Sequence, residues 1–222
     1  MFTLYHYQLC PSSRFIRMLL DEYKIEHITQ LENYWKPQEE FLLINPAGHL
    51  PVLIDNSNFP IIGFNACVEY IKDMDLKPNI FPDDYRKKAE IYRLYHWFDT
   101  LFKKEVLDPI IYEKVFSRVI ENLTPNSINL RNGMQNLGFH IRYLEYLLKD
   151  KDFLVLDTIT SCDFFAAANL SVLDYLGLLN LDYYPKLKVW YFKLKSRPSF
   201  KNILKDYIVG LTPHENYKLL DI

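Results

Sequence analysis

A chain of 222 residues can bury a sizeable core, as one large domain or two modest ones. Hydrophobic residues at 49% and charged residues at 24% exclude general disorder, and a net charge of −2 excludes a global field that gathers nucleic acid or anionic lipid. Three widely spaced cysteines, Cys10, Cys67 and Cys162, make neither a disulfide framework nor a zinc knuckle.

Residues 2–7, FTLYHY, read as a buried strand of β-branched and aromatic residues, and Pro11 stands where a helix begins. Phe15, Ile16, Leu19 and Tyr23 recur at helical spacing, which predicts an amphipathic helix over 12–24. A strand around 25–31 completes a βαβ unit. The polar loop that follows carries Trp35, either a binding anchor or a ring folded onto its own domain. A short helix over 36–43 stops at the turn Asn45-Pro46-Ala47-Gly48. A proline-led strand over 49–54, a short strand over 59–62 and a helix over about 65–73, with Ala66, Tyr70 and Ile71 turned inward, end a first domain at residue 75.

Residues 76–84, with two prolines and no period, form the expected linker, and from Tyr85 the pattern is helical alone. Ile91, Leu94, Tyr95, Phe98 and Phe102 mark a long helix that Pro109 is expected to kink or break. Another helix is expected over about 128–149. Thr160 and Asp163 fit a capping box, Ile159 and Phe164 its hydrophobic staple, and the helix behind them is apolar nearly all round, hence central. A helix over 185–196 and a short one after Pro198 finish a bundle spanning 85–206. The tail, 207–222, is expected to run extended over the surface. The start lacks a secretory pattern and no apolar run of about eighteen residues occurs, so a cytoplasmic protein without membrane insertion is expected.

This order of elements resembles the cytosolic glutathione transferases along the whole chain. It implies α/β plus all-α architecture, a thioredoxin-like N-terminal domain followed by an all-helical C-terminal domain. Asn45 to Leu53 resembles the family's cis-proline segment, Thr160 to Asp163 its capping box, and Arg197-Pro198-Ser199-Phe200 its final-helix phrase. Trp97-Phe98-Asp99, Phe102, Glu105, Pro109, Glu113-Lys114-Val115, Arg118, Leu170 to Gly177 and the tail resemble a narrower branch, the alphaproteobacterial FtsZ-binding division proteins. That resemblance implies a homodimer that binds FtsZ filaments at the division site and regulates their organisation and constriction.

Two chemistries follow from the resemblance. Cys10-Pro11-Ser12-Ser13 places a thiol at a helix N-terminus, where partial positive charge favours thiolate, and it resembles the site of glutaredoxins and cysteine-type transferases. The glutathione-site-like positions are then Cys10, Leu50, Pro51, Gly63 and Phe64. The family usually has Glu-Ser where this chain has Gly63-Phe64. The serine hydroxyl and helix N-terminus there take the γ-glutamyl carboxylate, so the resemblance to the division branch, with no cofactor and no enzymatic activity, is the preferred expectation. A glutathione-dependent transferase or thiol reductase using Cys10 is the alternative. Partner-binding residues implied by the division branch, or by residue type, are Trp35, Glu105, Glu113, Lys114, Arg118 and Asp221; Lys114 and Arg118 share a helix face. His6 and His27 have no paired ligand at metal spacing and read as packed or surface residues.

Overall fold

A computed structural model describes residues 1–220 of the chain. Its first strand, Phe2–His6 (β1), alternates buried with half-buried residues because one face meets a core. Pro11–Glu22 (α1) follows, then His27–Leu31 (β2), Glu39–Ile44 (α2), Val52–Ile54 (β3), Pro60–Ile62 (β4) and Phe64–Asp73 (α3). The sheet order is β2-β1-β3-β4, with β2 parallel to β1 and the other pairs antiparallel. The register puts Leu4 opposite Leu53 and Leu53 opposite Ile61, a buried row across three strands. Most of β2 is exposed, as befits an edge strand.

Two compact units emerge. Met1–Phe81 makes one, together with Lys195–Asp206 from late in the chain. The return of that late segment is explained by charges on α1. Arg17 Nη1 lies 2.9 Å from both Asp206 oxygens, and Arg14 Nη2 lies 3.7 Å from Oδ2. Glu22 accepts from the Ser199 hydroxyl at 2.6 Å and from the Arg197 guanidinium. These pairings let α1 bury every residue from Ser13 to Leu20, two arginines included.

On α3 the inward stripe is Cys67, Val68 and Ile71, while Ala66 faces solvent and Tyr70 is half-buried. This differs by one position from the sequence expectation. Gly63 is the N-cap with φ 90°, and inside the helix the Cys67 Sγ lies 3.4 Å from the Ile61 carbonyl of β4, which turns Ala66 outward.

The second unit comprises Pro82–Leu194 and the chain from Tyr207. Tyr85–His96 (α4) is capped by Asp84, which accepts from the N–H groups of Arg86 and Lys87 at 3.1 and 2.9 Å. The rod continues without a break through a π-wound stretch Trp97–Leu107, a short α-turn Asp108–Ile111 (α5) and a second π-wound stretch Tyr112–Ile120. Pro109 therefore does not end the helix. It lies inside the rod, on the α-turn that joins the two π-wound stretches, with helical backbone on either side.

Ser127–Leu147 (α6) packs against this rod at Gly133, where an added Cβ would lie 2.9 Å from Ile110 Cγ1. Ser161–Tyr175 (α7) is the central helix, and the capping box at Thr160 and Asp163 forms as its sequence predicts. Pro185–Lys195 (α8) follows. The tail does more than lie on the surface. Tyr217 is fully buried with its ring 5.1 Å from that of Tyr175, whose hydroxyl donates to the Leu211 carbonyl at 2.7 Å. The Ile208 N–H donates to the same hydroxyl at 3.1 Å and the His214 N–H to the Tyr175 carbonyl at 3.0 Å, so Tyr175 anchors a tail that has no amphipathic period of its own. Among the described residues no helix is long and apolar enough to cross a membrane.

Candidate functional site

The candidate thiol-site residues fall on three parts of the thioredoxin-like unit: the start of α1, the loop before β3 and the start of α3. Cys10 is the N-cap residue of α1, half-buried, with extended backbone, and its carbonyl accepts from Arg14 N–H at 2.9 Å. Pro11 has no N–H, so Ser12 and Ser13 supply the backbone donors at this helix end. The loop before β3 is tied by Asn45, whose side-chain amide donates to the His49 carbonyl at 2.8 Å and whose oxygen accepts from Ala47 N–H at 3.2 Å. The Leu50–Pro51 bond is cis. Pro51 is buried, Leu50 half-buried, and the Pro51 carbonyl accepts from Gly63 N–H at 2.9 Å, which joins this loop to the start of α3.

Phe64 then occupies the first position of α3, and its ring lies 5.8 Å from that of Phe15 on α1. The ring thus leans back toward the helix that carries Cys10. Gly63 makes no side-chain cap, and although a Cβ there would meet nothing within 4 Å, its φ of 90° disfavours any other residue. The helix end keeps its backbone donors but presents an apolar ring beside them.

Trp35 is half-buried and packs edge-on against Tyr7, with ring centroids 4.8 Å apart and Tyr34 completing the cluster at 5.3 Å from Trp35. Its ring is therefore seated on its own unit.

The remaining candidates lie in the helical unit and divide by orientation. Glu113 is buried, accepting from Asn126 N–H at 2.7 Å and the Asn129 amide at 2.8 Å, so its carboxylate braces the entry to α6. Glu105 is partly exposed and lies 3.0 Å from His140 Nε2. Trp97 Nε1–H donates to His140 Nδ1 at 3.1 Å; because an indole N–H can only donate, the His140 proton resides on Nε2 and points at Glu105. Burial lowers the His140 pKa, and the Glu105 carboxylate opposes that effect. Sequence gave no signal for this relay, since its members lie 35 and 43 residues apart. Lys114 is half-buried and Arg118 exposed on the second π-wound stretch. Beside them, Gly210 approaches Val119, where an added Cβ would stand 3.0 Å from Cγ1, so the turn of the tail reaches that stretch. Asp221 lies outside the described residues. Among the described residues no group of three or more His, Cys, Asp or Glu converges as a metal site.

A family model described as the glutathione S-transferase N-terminal domain matches residues 9–74, and one described as its C-terminal domain matches 132–206. FtsZ-localized protein A of Caulobacter vibrioides is 37% identical over 99% of this chain and 97% of its own length. The chain belongs to the glutathione S-transferase family. Within it, the solved structure of FzlA from C. crescentus superposes with a TM-score of 0.96 at 37% identity, covering 100% of this chain and 99% of that one. A glutathione S-transferase from Rhodospirillum rubrum F11 superposes with a TM-score of 0.95 at 35% identity over 100% of both chains.

Proposed function

We propose that this glutathione S-transferase-family protein is a cytoplasmic, homodimeric adaptor that binds FtsZ filaments at the division site and regulates their organisation and constriction. The observation that carries this reading is the likeness to FtsZ-localized protein A over nearly the whole length of both chains. Phe64 supports it from the other side, because an aromatic ring replaces the hydroxyl that would receive a glutathione carboxylate. Lys114 and Arg118, next to the turn of the tail, offer the filament a charged face.

Co-sedimentation with GTP-polymerised FtsZ from the same source tests this directly. The protein is expected to pellet only when polymer is present. Lys114→Glu is expected to weaken binding by about 1–3 kcal/mol, or roughly five- to a hundredfold. A clean negative with well-polymerised FtsZ would sink the reading.

A second reading has its own observation. Cys10 presents a half-buried thiol at the start of α1, an arrangement suited to glutathione-dependent transfer or thiol reduction. Retention on immobilised glutathione that is lost in Cys10→Ser would favour it. Whichever reading holds, Phe64→Ser restores a hydroxyl at the helix end. It is expected to tighten glutathione binding by about 1.5–3 kcal/mol, roughly ten- to a hundredfold, measured by calorimetry. No change would mean that the ring at this position is not what limits glutathione.

A further inference from the structure

We propose that the groove between the C-terminal end of α6 and the turn entering α8 docks a short acidic segment of a partner protein. That segment carries an apolar or aromatic side chain between two carboxylates. The groove belongs wholly to the helical unit and encloses about 470 Å³. Its walls are aromatic, from Tyr146, Tyr183 and Tyr184, and its cations are Arg142, Lys149 and Lys186.

Three features point to an acidic occupant. First, the single carboxylate in the lining, Glu145, is already engaged. Its two oxygens accept from the N–H groups of Lys186 and Leu187 at 3.2 and 2.7 Å, which caps α8 and fixes the turn against α6. Second, neighbouring cations are compensated and these are not. Lys188 pairs with Asp182 at 3.1 Å and Lys193 with Asp152 at 3.2 Å, whereas Arg142, Lys149 and Lys186 make no salt bridge among the described residues. Third, large rings stand out in water beside those charges: Tyr146 is 70% and Tyr183 86% exposed. Arg142 lies 4.8 Å from the centre of the Phe139 ring, itself exposed, which extends the ledge along α6.

Spacing gives the order of groups in the occupant. From Arg142 α6 runs on for about 8 Å to its end at Leu147, and Lys149 stands in the turn just beyond, so Tyr146 lies between the two cations in sequence. An extended peptide advances about 3.3 Å per residue, so carboxylates about three positions apart meet both cations while an intervening side chain lies on the ring. A net charge of −2 over the chain supplies no long-range attraction for a polyanion, and three local cations match a few carboxylates better than a nucleic-acid backbone.

The test uses the full chain labelled with nitrogen-15 and titrated with a capped synthetic peptide holding Glu-Ala-Phe-Glu. A matched peptide with Lys for each Glu and an oligothymidine serve as comparisons. Saturable shift changes confined to the amides near Arg142 to Lys149 and Tyr183 to Leu187 are expected. Binding should weaken about tenfold as ionic strength rises from about 0.02 to 0.2 M. The double variant Arg142→Glu/Lys149→Glu should lose at least about tenfold, and Tyr146→Ala a comparable factor, with unchanged circular dichroism. No saturable change at millimolar peptide, an equal response to the lysine peptide, or tighter binding of oligothymidine would overturn the proposal. No filament is present in this experiment, so its outcome is separate from that of the FtsZ reading.

Discussion

Replacing Asp163 with alanine is expected to cost about 3–5 kcal/mol of stability, a large share of the roughly 5–15 kcal/mol that holds a typical domain together. Asp163 is fully buried on α7, and four donors converge on its carboxylate. Oδ1 accepts from Leu154 N–H and Trp190 Nε1–H, each at 2.9 Å, and Oδ2 accepts from the Thr160 N–H and hydroxyl, each at 2.8 Å. One carboxylate thus caps the helix, pins the preceding loop and holds the indole of α8. Burial pushes its pKa above the ordinary carboxylate range, and the four donors pull the other way. Alanine leaves two backbone N–H groups and an indole N–H buried without acceptors, each costing about 1–3 kcal/mol. Asparagine keeps the shape but turns an NH2 toward donors, so it should recover only part of the loss. Urea denaturation of the two variants checks this; an alanine variant within about 1 kcal/mol of wild type would refute the hub.

The second large effect is a loss of stability in mild acid that traces to His6. Its ring is 6% exposed on β1, and its Nδ1 has no hydrogen-bond partner. Burial first, then the charges of Arg17 and Arg14 and the neighbouring His27, hold its pKa down to about 3 from 6.5. The folded state therefore keeps His6 neutral where the unfolded chain binds a proton. Stability is complete above the unfolded pKa of about 6.5 and falls as pH drops from there toward the folded value. Each pH unit in that window costs about 1.4 kcal/mol, so this group should remove about 2 kcal/mol between pH 7 and pH 5. His6→Leu should abolish that part of the slope, read as the difference between the two proteins' urea midpoints at the two pH values. Identical slopes would mean that His6 protonates in the folded protein as readily as in the unfolded one.

Fold class was legible because it rests on local signals. Pro11 and Thr160 announce helix starts, Asn45 to Gly48 a turn, and the change of period at Tyr85 the switch from mixed elements to helices alone. Each depends on a few adjacent residues and on backbone preferences that survive in any context. The break allowed for at Pro109 does not occur, because the helical stretch runs through it, π-wound on either side. Ala66 misled because the inward face of α3 is set by what the helix packs on, which puts Cys67, its Sγ 3.4 Å from the Ile61 carbonyl, inside and Ala66 outside.

The candidate site was legible only as positions. Sequence placed Cys10 at a helix start, Pro51 at a strand entry and Phe64 where a hydroxyl is usual. It could not say that the Phe64 ring leans on Phe15, that Trp35 packs on Tyr7, or that Glu113 faces inward while Arg118 faces out. Sequence alone determined the kinds of elements, their order and the family they resemble, because periodicity, caps and turns are written over a few residues. Only the tertiary structure decided which charges meet. Arg17 and Asp206 lie 189 residues apart, and Trp190 and Asp163 lie 27 apart. Their pairing is set by the burial of whole helices, and no local pattern encodes the long-range contact that leaves a charge with one partner and not another.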